Sequence, residues 1–228
     1  MPNSMNLKMI KTKNMTQSTE HIWFDLAGTL YKETVMFNEA HDQLRFDAYA
    51  TVTGQGDPVK AKAEFLKAYK RHGSNSAVFA SLGKPSNFWM QAMDSLDFGA
   101  IISPDPEVTE TLRRLKEFQP ISIYTNFKRS KIFEVLELLE IPAEWFSNIL
   151  SGDDVTRRKP ALDGFYEIIR ISGLPAEKIL YVGDRVDVDI VPAKSLGIHT
   201  CLVYGTSDQA DYCINSMREI LNLSSRTS

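Results

Sequence analysis

The chain has 228 residues, 43% of them hydrophobic and 24% charged, a globular composition long enough for one full core and an insertion. Its 26 Lys and Arg against 29 Asp and Glu leave a net charge of −3, which excludes the basic face a duplex nucleic-acid binder needs and stays compatible with a small anionic substrate. No apolar run approaches a membrane span, and the two cysteines, Cys201 and Cys213, form neither a CxxC pair nor a disulfide framework, so the expected setting is reducing and cytoplasmic.

Residues 1–20 are polar, carry Met1, Met5, Met9 and Met15, lack the apolar core of a secretory signal, and are expected to form a disordered tail outside the fold. IWFD at 22–25 reads as the first strand. Residues 34–100 then turn helical, with Val59, Ala63, Leu66 and Tyr69 spaced along one helix and Phe88, Ala92 and Leu96 with Trp89 and Met93 along another. This predicts a helical insertion whose aromatics pack internally. From residue 106 short β-rich runs alternate with helices, as a parallel sheet with crossover helices requires. A helix opened by Pro106 carries Val108, Leu112 and Leu115. The strand ISIYTN (121–126) and a helix with Ile132, Phe133, Leu136 and Leu139 on one face follow, then the strand NILSG (148–152). A helix with Leu162, Phe165, Ile168 and Ile169 is closed by Gly173. ILYVGD (179–184) is a buried strand, DIVPAKSLG a helix and IHTCLVYG a further strand. Asp211–Ile214 and a helix around Met217–Leu221 finish the chain. The expected fold class is α/β, a doubly wound, mostly parallel sheet with a helical insertion.

In such sheets ligands bind outside the carboxyl ends of the strands, so polar residues there are informative. Asp25 follows IWF, Thr125 and Asn126 follow ISIY, and Asp184 follows ILYVG; the loop SGDDVTRRKP adds Lys159. Asp25 can serve as a covalent nucleophile aimed outward by a tight turn at Gly28, although an aspartate in that place can equally cap a helix. Asp184, with Asp187 and Asp189 close behind, suits Mg²⁺, which takes one or two carboxylates together with phosphate oxygens. Lys159 can neutralise a transferring phosphoryl group, and the Thr125 hydroxyl can donate to it. Arg157 and Arg158 read as structural or solvent-facing. His21, His41, His72 and His199 have no zinc-like spacing and receive no role.

FDLAGTL, IYTN, the RRKP lysine and VGDRVDVD, in that order and strand context, resemble the four motifs of the haloacid dehalogenase superfamily over about residues 21–222. The resemblance implies a Rossmann-like catalytic core over 21–33 and 101–228, with a helical cap over 34–100. It implies that Asp25 attacks phosphorus to form an aspartyl phosphate, that Thr125 and Asn126 bind the substrate, and that Lys159 orients and neutralises. Asp25, Asp184 and the backbone carbonyl of Ala27 would hold Mg²⁺, with Asp189 in support. The substrate would be a small phosphorylated metabolite, with no nucleic-acid or membrane partner. Lys32, Arg45 and Trp89 are candidates for lining the substrate cavity.

One position departs from the family. Its phosphatases carry an aspartate acting as general acid and base two residues after the nucleophile, and here that residue is Ala27. General acid catalysis is typically worth about 10² to 10⁴ in rate, so alkyl phosphate hydrolysis should be handicapped. Three readings follow: a phosphatase for substrates with good leaving groups or another proton source; a phosphonoacetaldehyde hydrolase-like enzyme that cleaves a carbon–phosphorus bond through a cap lysine, Lys67 or Lys70; and a pseudoenzyme that binds a phosphorylated ligand without turnover.

Overall fold

The computed structural model describes residues 19–32 and 34–224; the expected tail falls almost wholly outside them. Six strands, β1 (His21–Phe24), β2 (Ile121–Tyr124), β3 (Asn148–Leu150), β4 (Ile179–Gly183), β5 (His199–Val203) and β6 (Tyr212–Ile214), form one sheet in the order β3-β2-β1-β4-β5-β6. Every adjacent pair is parallel. The order reverses between β1 and β4, so the crevice in which doubly wound sheets bind ligands opens at the carboxyl end of β1. β6 falls in the segment Asp211–Ile214, whose element type the sequence left open, and its register is set by pairing with β5 (Cys201 opposite Tyr212).

Side chains alternate across the sheet as the two-residue period demands. Ile22, Phe24, Ile121, Ile123, Leu180 and Val182 join one buried cluster, while Trp23, Tyr124 and Tyr181 meet Phe165 and Ile168 on the other face. Helices cover both faces, which is why the strands read as nearly continuous apolar runs. Two polar side chains buried on the sheet find partners: His21 bonds Ser122 (2.9 Å), and the Trp23 indole donates to Ser172 (2.9 Å).

Between β1 and β2 lie α1 (Val35–Thr53), α2 (Pro58–His72), α3 (Asn75–Ser81), α4 (Phe88–Met93) and α5 (Phe98–Ile101). Thr34 caps α1 by accepting from the Phe37 amide (3.0 Å). Its hydroxyl also donates to the Ile101 carbonyl (2.9 Å), tying the entry of the insertion to its exit. α2 forms where expected, with Asp57 and Pro58 at its start and Gly73 at its end, but the buried face differs from the one expected. Ala61 and Phe65 point inward, whereas Val59 is 78% exposed and Leu66 also faces solvent. Both sets satisfy helical spacing, and packing of Phe65 against Phe79 decides which is buried. Phe65 packs on Phe79 (6.1 Å between ring centres), and Phe79 stacks on Trp89 (5.8 Å). Phe98 meets Phe127 edge-on (5.7 Å), joining the insertion to the loop after β2.

The remaining α-helices are α6 (Pro106–Leu115), α7 (Arg129–Leu138), α8 (Asp163–Ser172), α9 (Val191–Ser195) and α10 (Leu221–Ser224). On α7 the buried apolar residues are Ile132, Val135 and Leu136, and Phe133 is exposed; at about 100° per residue those three fall in one stripe, and Phe133 lies one such step from Ile132 on the side away from Val135. α8 ends on Gly173 in the left-handed conformation, as expected. The segment read as one helix, DIVPAKSLG, is preceded by a turn of π-helix over Val186–Ile190 and becomes α-helical only at α9.

Candidate active site

Asp25 continues β1 by one residue, its amide donating to the Val182 carbonyl of β4 (2.8 Å), so the carboxylate stands at the carboxyl edge of the sheet. The turn that follows is shaped by Gly28, which has φ 75. A Cβ there would lie 2.6 Å from Cγ of Asp184. Glycine is needed twice over, for the left-handed backbone and for the close approach. Asp184 itself leaves the end of the neighbouring strand β4. Carboxylate oxygens of Asp25, Asp184 and Asp189 lie within 4.8 Å of one another. Among the described residues this is the one cluster of acids, histidines or cysteines able to hold a metal, and its all-oxygen donors suit a hard divalent cation.

Asp189 sits on the π-helical turn and is fully buried. It folds against Gly183, where a Cβ would meet its Cγ at 2.6 Å. One carboxylate oxygen accepts from the Arg185 amide (3.1 Å) and the other from Lys159 (2.6 Å). The Lys159 ammonium also binds Asp25 (2.8 Å) and the Tyr181 hydroxyl (2.8 Å). A lysine has three donors, and here all three are placed. Burial pulls the Lys159 ammonium down, but the charges of Asp189 and Asp25 outweigh it and hold it above the ordinary lysine range. Burial likewise raises Asp189, to about 6, with Lys159 pulling down and Asp25 pushing up. The Tyr181 hydroxyl is raised well above its usual value by burial first and by the two carboxylates next, so it remains a donor to the Tyr124 carbonyl (3.0 Å).

Thr125 is buried beyond the end of β2, its amide donating to the Leu150 carbonyl (3.2 Å). Asn126 grips the backbone of Lys159 with both ends of its amide: the nitrogen donates to the Lys159 carbonyl (3.0 Å) and the oxygen accepts from the Lys159 amide (2.8 Å). The loop carrying the lysine is thereby fixed to the end of β2.

The structure thus brings together Asp25, Asp184, Asp189 and Lys159, with Asn126 bonded to the lysine backbone. The other candidates have these surroundings. Asp187 is exposed beside Arg185 (3.2 Å). The Arg45 guanidinium lies over the rings of Phe46 and Phe65 (5.1 and 5.5 Å), Trp89 packs within the insertion, and Lys32 lies over the Tyr204 ring (4.7 Å). Lys67 and Lys70 are exposed on α2. Two contributors were not anticipated. Tyr181 could have been suspected, because a tyrosine inside an otherwise apolar buried strand must find a partner for its hydroxyl. Arg158 is not solvent-facing: its Nε donates to the Asn126 carbonyl (3.2 Å), whereas Arg157 is exposed and pairs with Asp163 (2.8 Å). No sequence signal distinguishes the two adjacent arginines.

Comparison with known proteins agrees with this arrangement. A glyceraldehyde 3-phosphate phosphatase of Methanocaldococcus jannaschii is 33% identical over 132 residues, covering 54% of this chain and 58% of that protein. A phosphoglycolate phosphatase of Escherichia coli K12 is 31% identical over 125 residues, covering 51% and 49%. The chain spans about half the length of these curated relatives. A HAD phosphatase from Thermococcus onnurineus, 20% identical, superposes over 91% of this chain and 98% of its own with a TM-score of 0.66, a likeness of fold. The family model described as haloacid dehalogenase-like hydrolase matches residues 22–203, a span that holds the whole constellation from Asp25 to Asp189, and the chain belongs to that family.

Proposed function

We propose that the protein is a Mg²⁺-dependent phosphatase that acts on a small phosphorylated metabolite through an aspartyl phosphate at Asp25. The observation that carries this reading is the Asp25 carboxylate held 2.8 Å from a buried lysine and grouped with Asp184 and Asp189 within 4.8 Å. The phosphatase relatives support the substrate class. In the forward step a carboxylate oxygen of Asp25 forms a bond to phosphorus while the bond from phosphorus to the leaving oxygen breaks. Lys159 offsets the charge that gathers on the phosphoryl oxygens and keeps the Asp25 carboxylate oriented. The Thr125 hydroxyl donates to a phosphoryl oxygen. Asp25, Asp184 and the Ala27 carbonyl would hold Mg²⁺, which would supply the positive charge that lets two anions approach. Water oxygen then bonds to phosphorus as the bond from phosphorus to the Asp25 oxygen breaks, which releases inorganic phosphate with the water's proton and restores the Asp25 carboxylate.

Asp189 acts through Lys159 and the Arg185 amide, to which its two oxygens are already bonded. Asn126 positions the lysine loop. Ala27 offers no proton to the departing oxygen, so the preferred substrates are those whose leaving group needs none, such as acyl phosphates and phosphoric anhydrides. The carbon–phosphorus reading gains nothing from the fold, because a Schiff-base lysine is activated by desolvation or a cationic neighbour in a pocket and Lys67 and Lys70 are exposed.

The test is a panel of acyl phosphates, alkyl phosphates and phosphonates assayed with Mg²⁺, with Asp25→Asn as the blank and Ala27→Asp alongside. Acyl phosphates should be turned over fastest by the natural chain, and Ala27→Asp should raise alkyl phosphate turnover by about 10² to 10⁴. Absence of turnover on every phosphate, together with no phosphate label on Asp25, would leave a binding-only protein.

A further inference from the structure

The loops that carry Thr125, Asn126 and Lys159 also line a cavity of about 220 Å³ between α4, α5 and the sheet. It is smaller than the ~300–1,000 Å³ of a drug-sized site; at ~30 Å³ per water it holds the equivalent of about seven waters, the size of a short polar chain. Its walls come from both sides of the insertion. Asp94 lies at the end of α4, and Lys128, Lys131, Asp153 and Arg158 stand on the two loops and the first turn of α7. Three cations therefore face two carboxylates around it.

The cations differ in how firmly they are held. Lys128 binds Asp94 (2.6 Å) across the gap between insertion and sheet. Lys131, with a side chain only 7% exposed, has Glu134 at 2.8 Å and lies over the Phe98 ring (4.6 Å). Arg158 uses Nε on the Asn126 carbonyl and reaches Asp153 only at 3.4 Å, a contact too long for the parallel two-bond geometry a guanidinium makes with a carboxylate. A ligand carboxylate entering the cavity would find the incompletely used guanidinium edge of Arg158 and, beside it, the Lys128 ammonium, which it would have to share with Asp94, in a space where charge-assisted bonds are strong.

We propose that this cavity is the subsite for the non-reacting end of the substrate and that it selects a short chain ending in a carboxylate, with Lys128 and Arg158 as its specificity-determining residues. The proposal rests on the phosphatase reading for the identity of the reacting end, but not for the binding preference itself. The Lys128–Asp94 pair gives it a second consequence: a substrate carboxylate that draws on Lys128 meets the insertion and the sheet at the same point.

The probes are 3-phosphoglycerate and glycerol 3-phosphate, which differ only in a terminal carboxylate against a terminal hydroxymethyl group. Calorimetric titration of the full-chain Asp25→Asn variant with Mg²⁺ should show 3-phosphoglycerate binding about tenfold more tightly, the worth of one charge-assisted bond. Adding Lys128→Gln should remove most of that preference while leaving glycerol 3-phosphate affinity within about threefold, and Lys128→Arg should restore it. Equal affinity for the two probes, or a preference that survives Lys128→Gln, would overturn the proposal. Hydrolysis of p-nitrophenyl phosphate by the natural chain separates the two ideas. Turnover without the carboxylate preference sinks this subsite and keeps the phosphatase reading; the preference without turnover does the reverse.

Discussion

Replacing Lys159 by methionine keeps most of the volume of the side chain and removes the charge that Asp25 and Asp189 share at 2.8 and 2.6 Å. Deleting one partner of a buried pair typically costs about 3–5 kcal/mol, a large part of the ~5–15 kcal/mol that holds a domain folded. Part of that cost must depend on pH. Asp189 titrates at about 6 in the intact site, where burial raises it, Lys159 lowers it and Asp25 raises it; without Lys159 it moves higher. A carboxyl group whose folded pKa lies above its unfolded ~3.9 costs the fold nothing while both states are protonated and increasingly more as pH rises through the folded pKa. At pH 5 Asp189 keeps its proton in the folded form of both proteins. At pH 8 the intact site has lost it, and the variant bears up to ~1.4 kcal/mol more for each unit by which its pKa has climbed. Urea unfolding of both proteins in EDTA should therefore show a larger loss at pH 8 than at pH 5. An equal loss at both pH values, or one under ~1 kcal/mol at pH 8, would refute the claim that the lysine is the charge balancing this cluster.

His21 is buried and lowered to about 4 by that burial, so the unfolded chain takes its proton near 6.5 while the fold resists until about 4. Its stabilising share is whole above pH 6.5 and is lost as pH falls toward 4, on the order of 3 kcal/mol; unfolding midpoints of His21→Gln against the natural chain at pH 7 and 5 should show the flatter acid limb in the variant. Gly28→Ala should weaken Mg²⁺ activation by at least about tenfold, because the left-handed turn costs ~1–2 kcal/mol and the new methyl displaces Asp184; an unchanged metal titration would contradict the close approach. Asn126→Ala removes two bonds to the Lys159 backbone, each worth ~1 kcal/mol, and should lower kcat with KM nearly constant. A rise in KM with kcat intact would instead make Asn126 a direct substrate contact.

The strands and the polar groups at their ends could be read from the sequence because period and position carry that information locally. Trp23 and Phe24 face opposite ways because strand residues alternate, and Asp25 follows as the first polar group after the run. The choice of buried face on α2 could not be read, since Val59, Ala63 and Leu66 repeat as regularly as Ala61, Phe65 and Ala68, and only packing against Phe79 decides between them. Lys159 was found through its motif, but its surroundings were not: the hydroxyl that binds it comes from Tyr181, 22 residues further along the chain, and Asn126 reaches it from 33 residues before. Such contacts are products of strand order, which alternation along one strand does not encode.

The same reasoning bears on Ala27. The turn after Asp25 is held by backbone features: the bridge between Ala27 and Tyr31, the Leu30 amide on the Leu26 carbonyl (2.9 Å) and the left-handed Gly28. None of them uses the side chain at 27. The backbone carbonyl and the side chain at 27 are thus separable, and in the proposed site the loop would lose proton transfer while its carbonyl stayed free to serve a metal. That separation is what makes Ala27→Asp informative. An aspartate there adds a carboxyl group to an unchanged backbone frame, so a gain confined to substrates with poor leaving groups reports proton delivery, whereas an equal change on acyl and alkyl phosphates reports an altered metal site.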